Sequence, residues 1–116
     1  MGKVYLLDCT LRDGGYINGW NFGKETIKGF GRIIAKTGIE IFEVGFIKGD
    51  TYNPSKSVFP DIQSIAPMIQ PKASHMKYVG MLDMSAPIPL ERRRDIGRWH
   101  PGYLQKGQDS RGLQIL

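Results

Sequence analysis

Apolar residues along this 116-residue chain fall in short runs, separated by stretches rich in glycine and charge. "KVYLLD", residues 3–8, is short, β-rich and mostly apolar, the pattern of a strand buried on both faces. After the polar "NGWNFGKE", apolar residues between Lys24 and Thr37 recur at Ile27, Phe30, Ile33, Ile34 and Ala35. That spacing predicts a helix, with Gly38 placed as its C-terminal cap. Gly29 and Gly31 weaken such a helix by up to about 1 kcal/mol each relative to alanine, so packing must hold it. Small residues there also permit close approach to a sheet.

"IEIFEVGFI", residues 39–47, predicts a second strand with Glu43 inside an otherwise apolar run. Beyond the loop "KGDTYNPSKS", a weaker helical period runs through Phe59, Ile62, Ile65, Ala66 and Ile69, bounded or bent by Pro60, Pro67 and Pro71. "KYVGMLDM", residues 77–84, predicts a third strand with Asp83 near its C-terminal end. The order β-α-β-α-β argues for parallel strands joined by right-handed crossovers, hence an α/β architecture. Residues 91–116 follow neither period and read as an irregular basic tail.

Composition narrows the class. A chain 41% hydrophobic and 23% charged is ordinary globular material, which argues against wholesale disorder. Cys9 is the single cysteine, so no internal disulfide can form and a cytoplasmic location is expected. No apolar run approaches the roughly 20 residues of a membrane span, and the N-terminus lacks the pattern of a secretory signal. The net charge of +5 is unevenly spread: residues 1–90 hold ten Lys/Arg against eight Asp/Glu, whereas 91–116 hold six against three. Nucleic-acid binding would therefore act through the tail, since no basic stripe with interleaved aromatics precedes it.

In parallel α/β folds, functional groups gather at the carboxyl ends of strands. Asp8 with Arg12 and Asp13, then Glu43, then Asp83 fall at or near such positions. Carboxylates converging there suit a hard divalent cation such as Mg2+ or Mn2+, and a permanently charged arginine can stabilise a developing oxyanion. Metal and guanidinium together suggest Lewis-acid chemistry on a carbonyl substrate. Plainer readings stand beside these. "RDGG" is ordinary turn chemistry, Glu43 can be half of a buried ion pair, and Asp83 can be a helix N-cap or loop residue. His75 and His100 read as solvated, Cys9 as a small packing residue, and Tyr16, Trp20 and Phe22 as lining or packing.

"DCTLRDGGYINGWNFG", followed by "FEVGF" and "YVGMLDM", resembles the metal-dependent aldolases and lyases of the HMG-CoA lyase-like (DRE-TIM metallolyase) family. The nearest branch is that of the 4-hydroxy-2-oxovalerate aldolase-like proteins, and the likeness runs from about Val4 to Leu90. It implies retro-aldol or Claisen-type chemistry on a (β/α)8 barrel, through a metal-stabilised enolate of a 2-oxo acid or acyl-CoA. By that resemblance Asp13 would be the first-strand metal ligand, Arg12 would hold the enolate oxygen, and Glu43 would orient the site. Two departures are plain. Tyr16 stands where the aldolase branch carries a histidine associated with base chemistry, so Tyr16 becomes the candidate acid or base. The family also completes its metal site with an H-x-H pair, and the two histidines here are His75 and His100.

A full barrel takes about 250 residues. The expectation is thus an incomplete TIM barrel of about three parallel βα units over residues 1–90, with an incomplete Mn2+ or Mg2+ site. Such a piece would be inactive alone and able to self-associate through exposed barrel edges. Reading the codons of residues 94–116 one nucleotide forward can restore an amphipathic strand-and-helix start. That predicts a frameshift near Leu90–Arg94, which the encoding DNA would decide. The rival from another class is a non-catalytic α/β module that binds a ligand or metal on its acidic face.

Overall fold

A computed structural model describes residues 2–49, 51–83, 98–99 and 111–115. Among the described residues, six strands form one sheet: β1 (Leu7–Asp8), β2 (Ile41–Ile47), β3 (Val58–Phe59), β4 (Lys77–Asp83), β5 (Arg98–Trp99) and β6 (Arg111–Ile115). Helix α1 (Lys24–Ile34) links β1 to β2, and a short α2 (Ile62–Ile65) with a 3-10 turn at Ala66–Met68 precedes β4. β2 is the hub. β4 lies parallel along one of its edges, while β1 and β3, also parallel, take successive stretches of the other.

Several expectations are corrected. β1 pairs over two residues rather than six and is no buried strand: Val4, Tyr5 and Leu6 are each more than half exposed. It lies at the sheet's edge, so nothing pairs its outer side among the described residues. α1 stops at Ile34 rather than near Thr37, and Gly38 is not its cap. Thr37 instead donates its hydroxyl to the Ile34 carbonyl (2.7 Å) and closes the helix end. The stripe Ile27–Gly31–Ile34 is buried at i, i+4, i+7, which leaves Ile33 facing outward and exposed. The second helix shrinks to one turn because Phe59 joins β3 and Pro67 enters the following 3-10 turn. In the tail, residues 98–99 and 111–115 are strand rather than irregular. β6 runs antiparallel along β4, and β5 pairs with β6. The rest of the basic tail, with His100 and the frameshift region, lies outside the described residues.

The β2–β4 register carries a bulge: Glu43 opposes Val79, but Phe46 already opposes Met81. Gly45 sits in it at φ +148°, and a Cβ there would overlap the Ser57 carbonyl. Glycine is therefore required twice, for the backbone conformation and for the close approach. The bulge swaps the facing of β2. Before it, Phe42 and Val44 pack toward the helices with Tyr78, Leu82, Ile27 and Ile65; beyond it, Ile47 does so. Ile41, Phe46, Val79 and Met81 form a second cluster on the opposite face, against Trp20 and Val58. Glu43 alternates onto that second face.

Candidate functional site

The turn after β1 is folded by its own backbone. Asp8 accepts the Thr10 amide (3.2 Å) and hydroxyl (2.8 Å), so its carboxylate shapes the strand end. The Cys9 carbonyl accepts the amides of Arg12 (3.1 Å) and Asp13 (2.7 Å), and a 3-10 turn runs over Asp13–Ile17. Trp20 locks this turn: its indole N–H donates to the Arg12 carbonyl at 2.6 Å. A Cβ on Gly15 would overlap the indole, so Gly15 serves close approach, and neither Gly14 nor Gly15 adopts a positive φ. Ser57, fully buried, donates its hydroxyl to the Leu11 carbonyl from the far side.

So anchored, Arg12 reaches β2. Its Nε donates to Glu43 Oε2 at 2.7 Å and its Nη2 to Glu43 Oε1 at 3.4 Å, a two-point contact with a carboxylate that is 2% exposed. The register explains the reach: β1 ends with Asp8 opposite Phe42, so the turn begins at the level of Glu43. The buried ion pair weighed for Glu43 is thus present, and its partner is the same arginine singled out for oxyanion chemistry. Burial alone would lower the Arg12 pKa. The hydrogen bond and charge of Glu43, with Asp13 and Cys9, outweigh it and hold the guanidinium above its usual value. Arg12 is a fixed cation whose Nη1 side also lies 3.4 Å from Asp13 Oδ1.

Around that pair the predicted residues separate. Asp13 is 61% exposed, with its carboxylate open to solvent beside Arg12. Tyr16 is exposed, its ring edge-on to Trp20 at 4.9 Å and to Phe46 at 6.5 Å. Asp83 is half-buried at the end of β4, four residues beyond the Val79 level that faces Glu43, or about 13 Å along the strand. Arg12, Asp13 and Glu43 are therefore brought together, and Asp8 and Asp83 stand apart from them. Cys9 beside them is half-buried. Burial first, then the charge of Glu43, raises its thiol pKa against the lowering effect of Arg12, so it stays protonated at neutral pH. His75 is exposed and its Nε2 lies 2.8 Å from the Thr37 carbonyl.

An exposed aspartate suits a hard divalent cation in kind. Glu43 is engaged by Arg12, and among the described residues no three ligand-type side chains converge on one point. Asp13 thus stands as a single solvent-open carboxylate beside the Arg12–Glu43 pair. Sequence reasoning missed the structural parts played by Trp20 and Ser57. Trp20 looked like lining, and the Ser57 contact spans 46 residues, which no local pattern announces.

Forty-six residues, 40% of this chain, are 44% identical to a 2-isopropylmalate synthase of Dictyoglomus turgidum. They span 9% of that protein's length. No protein-family model matches the chain, and no solved structure does. 2-Isopropylmalate synthase is a DRE-TIM protein, so the likeness supports the superfamily and leaves the aldolase branch without support.

Proposed function

We propose that residues 1–90 are the opening βα units of a DRE-TIM-type barrel, and that the turn after β1 is its enolate-binding corner. The observation that carries this is the buried, two-point Arg12–Glu43 contact between the first turn and the second strand. A guanidinium held rigid and charged beside an open carboxylate suits an oxygen that gains negative charge as a C–C bond beside a carbonyl is made or broken. In this reading Glu43 fixes the orientation of Arg12, and Arg12 binds the oxyanion. Asp13 offers one carboxylate to a Mn2+ or Mg2+ ion, which would supply Lewis acidity when bound. Tyr16, exposed in the same turn, is the group that would move a proton in this reading. The exposed Val4, Tyr5 and Leu6 just before β1, at the sheet's edge, fit a border that another strand would cover in a closed barrel.

Oxalate, a planar dianion shaped like a 2-oxo acid enolate, tests the reading. Mn2+ binding to the full chain, followed by electron paramagnetic resonance, is expected to tighten with oxalate and to be lost in Asp13→Asn. Arg12→Lys is expected to keep Mn2+ binding but lose the oxalate effect, because a lysine cannot reproduce the fork. Unchanged Mn2+ binding in Asp13→Asn would sink the proposal.

A further inference from the structure

Trp20 also borders a cavity of about 680 Å³, walled by Gly19 and Trp20 on one loop and by Lys48, Tyr52, Pro54, Lys56 and Val58 on the other. Both loops follow the carboxyl ends of parallel strands, where α/β folds place ligands. Lys48 and Lys56 both line it and both are half-buried. No described lining residue is acidic, and neither lysine forms an ion pair among the described residues.

The walls are preformed. The Gly23 amide donates to the Ser55 carbonyl (2.8 Å), the Ser57 amide to the Trp20 carbonyl (3.1 Å), and Asn21 and Lys56 form an antiparallel bridge. Each lysine is pinned at its own backbone: Lys48 N–H donates to the Phe59 carbonyl (3.0 Å) and Lys56 N–H to the Asn53 carbonyl (2.9 Å). Burial and the Asp61 charge raise the Tyr52 pKa, so the phenol on this wall keeps its proton and remains a donor. Two lysines line one concavity that no described acidic residue lines, so an anion seated there meets positive charge from both.

We propose that this cavity is an anion site, in which Lys48 and Lys56 hold the carboxylate or phosphate group of a small ligand and Trp20 supplies a flat wall. It does not depend on the enolate corner, since none of its charged groups belongs to that corner. The test titrates the full chain with malonate and, separately, with glycerol 3-phosphate. Calorimetry and the indole N–H resonances report binding. Binding of either probe below about 10 mM, weakened tenfold or more in both Lys48→Gln and Lys56→Gln, is expected; which probe binds assigns the anion as carboxylate or phosphate. Lys48→Arg, which keeps the charge, should retain binding and serves as the folding control. Asp13→Asn should leave it unchanged, so failure of the metal reading and failure of this one are separable. Neither probe binding, or both Gln variants binding like the parent chain, overturns the proposal.

Discussion

The two faces of the sheet are built from alternate residues of the same strands, yet they are held by different physics. Toward the helices, Phe42, Val44, Tyr78 and Leu82 close on Ile27, Ile65 and Met68, and the Tyr78 hydroxyl accepts the Ala73 amide at 2.9 Å. Dispersion and water exclusion suffice there. On the opposite face, one residue along, Glu43 is buried as completely as Phe42, and its carboxylate is acceptable only because Arg12 arrives from the turn after β1. The apolar face is positioned by helices already committed to packing. The charged face depends on a local detail, the path of one turn, which Trp20 and Ser57 hold by hydrogen bonds to its carbonyls. A site that must present a fixed cation belongs on the second face, where the fold is obliged to hold that cation still.

The sharpest way to break the comparison is to remove one partner on each face and measure urea denaturation. Arg12→Ala leaves a buried carboxylate without its cation and is expected to cost about 3–5 kcal/mol. Phe42→Ala leaves a cavity and is expected to cost a similar amount, about 3–5 kcal/mol. The second step separates the causes. Arg12→Leu combined with Glu43→Leu should recover most of the first loss, because a buried ion pair replaced by apolar residues is often near neutral. If the double variant is no more stable than Arg12→Ala, the pair is not what holds that face.

Next in size is the hinge between the two facings. Gly45→Ala places a Cβ against the Ser57 carbonyl and forces an alanine to φ +148°, so a loss of about 3 kcal/mol is expected by thermal denaturation. It should also loosen the Arg12 turn, because the Phe46 amide and the Leu11 carbonyl both bond Ser57. A mild effect confined to stability, with the indole N–H of Trp20 unmoved, would show that the bulge and the turn are independent.

Electrostatics supply a smaller effect with a definite sign. The Cys9 thiol is raised by burial and by Glu43, so its alkylation should begin at higher pH than that of a free cysteine peptide. Asp13→Asn removes one charge that raises it and should shift the profile down; Arg12→Lys, which keeps a cation nearby, should leave it close to the parent. Stopped-flow alkylation against pH reads both.

These features differ in how far the sequence discloses them. The parallel β-α-β-α-β order was legible because β2, β4 and α1 carry strong apolar periods. β1 misled: "VYLL" has the composition of a buried strand, but burial depends on having neighbours on both sides, which composition does not record. Glu43 was visible as one charge in an apolar run, and Arg12 as one of the cations able to meet it. Their pairing follows from register, since β1 ends opposite Phe42, and register is a property of the assembled sheet. The strands at 98–99 and 111–115 escaped because pairing to β4, rather than any local period, makes them strands.

The smallest prediction concerns the helix on the apolar face, where the close approach expected of its glycines can be tested directly. Gly31 is buried, yet a Cβ there would meet the Met68 carbonyl at 3.6 Å and the Phe42 ring at 3.8 Å, ordinary van der Waals distances. The helix therefore sits no closer to the sheet than an alanine permits. Gly31→Ala should stabilise the chain by about 0.5–1 kcal/mol, by reducing the freedom of the unfolded backbone and adding a methyl to the core. Gly29→Ala, whose added Cβ meets only the flexible end of Arg32 at 3.9 Å, should gain a similar amount or slightly less. A loss in Gly31→Ala with a gain in Gly29→Ala would mean that the apolar face is packed more tightly than these distances allow, and that both faces, not one, depend on exact placement.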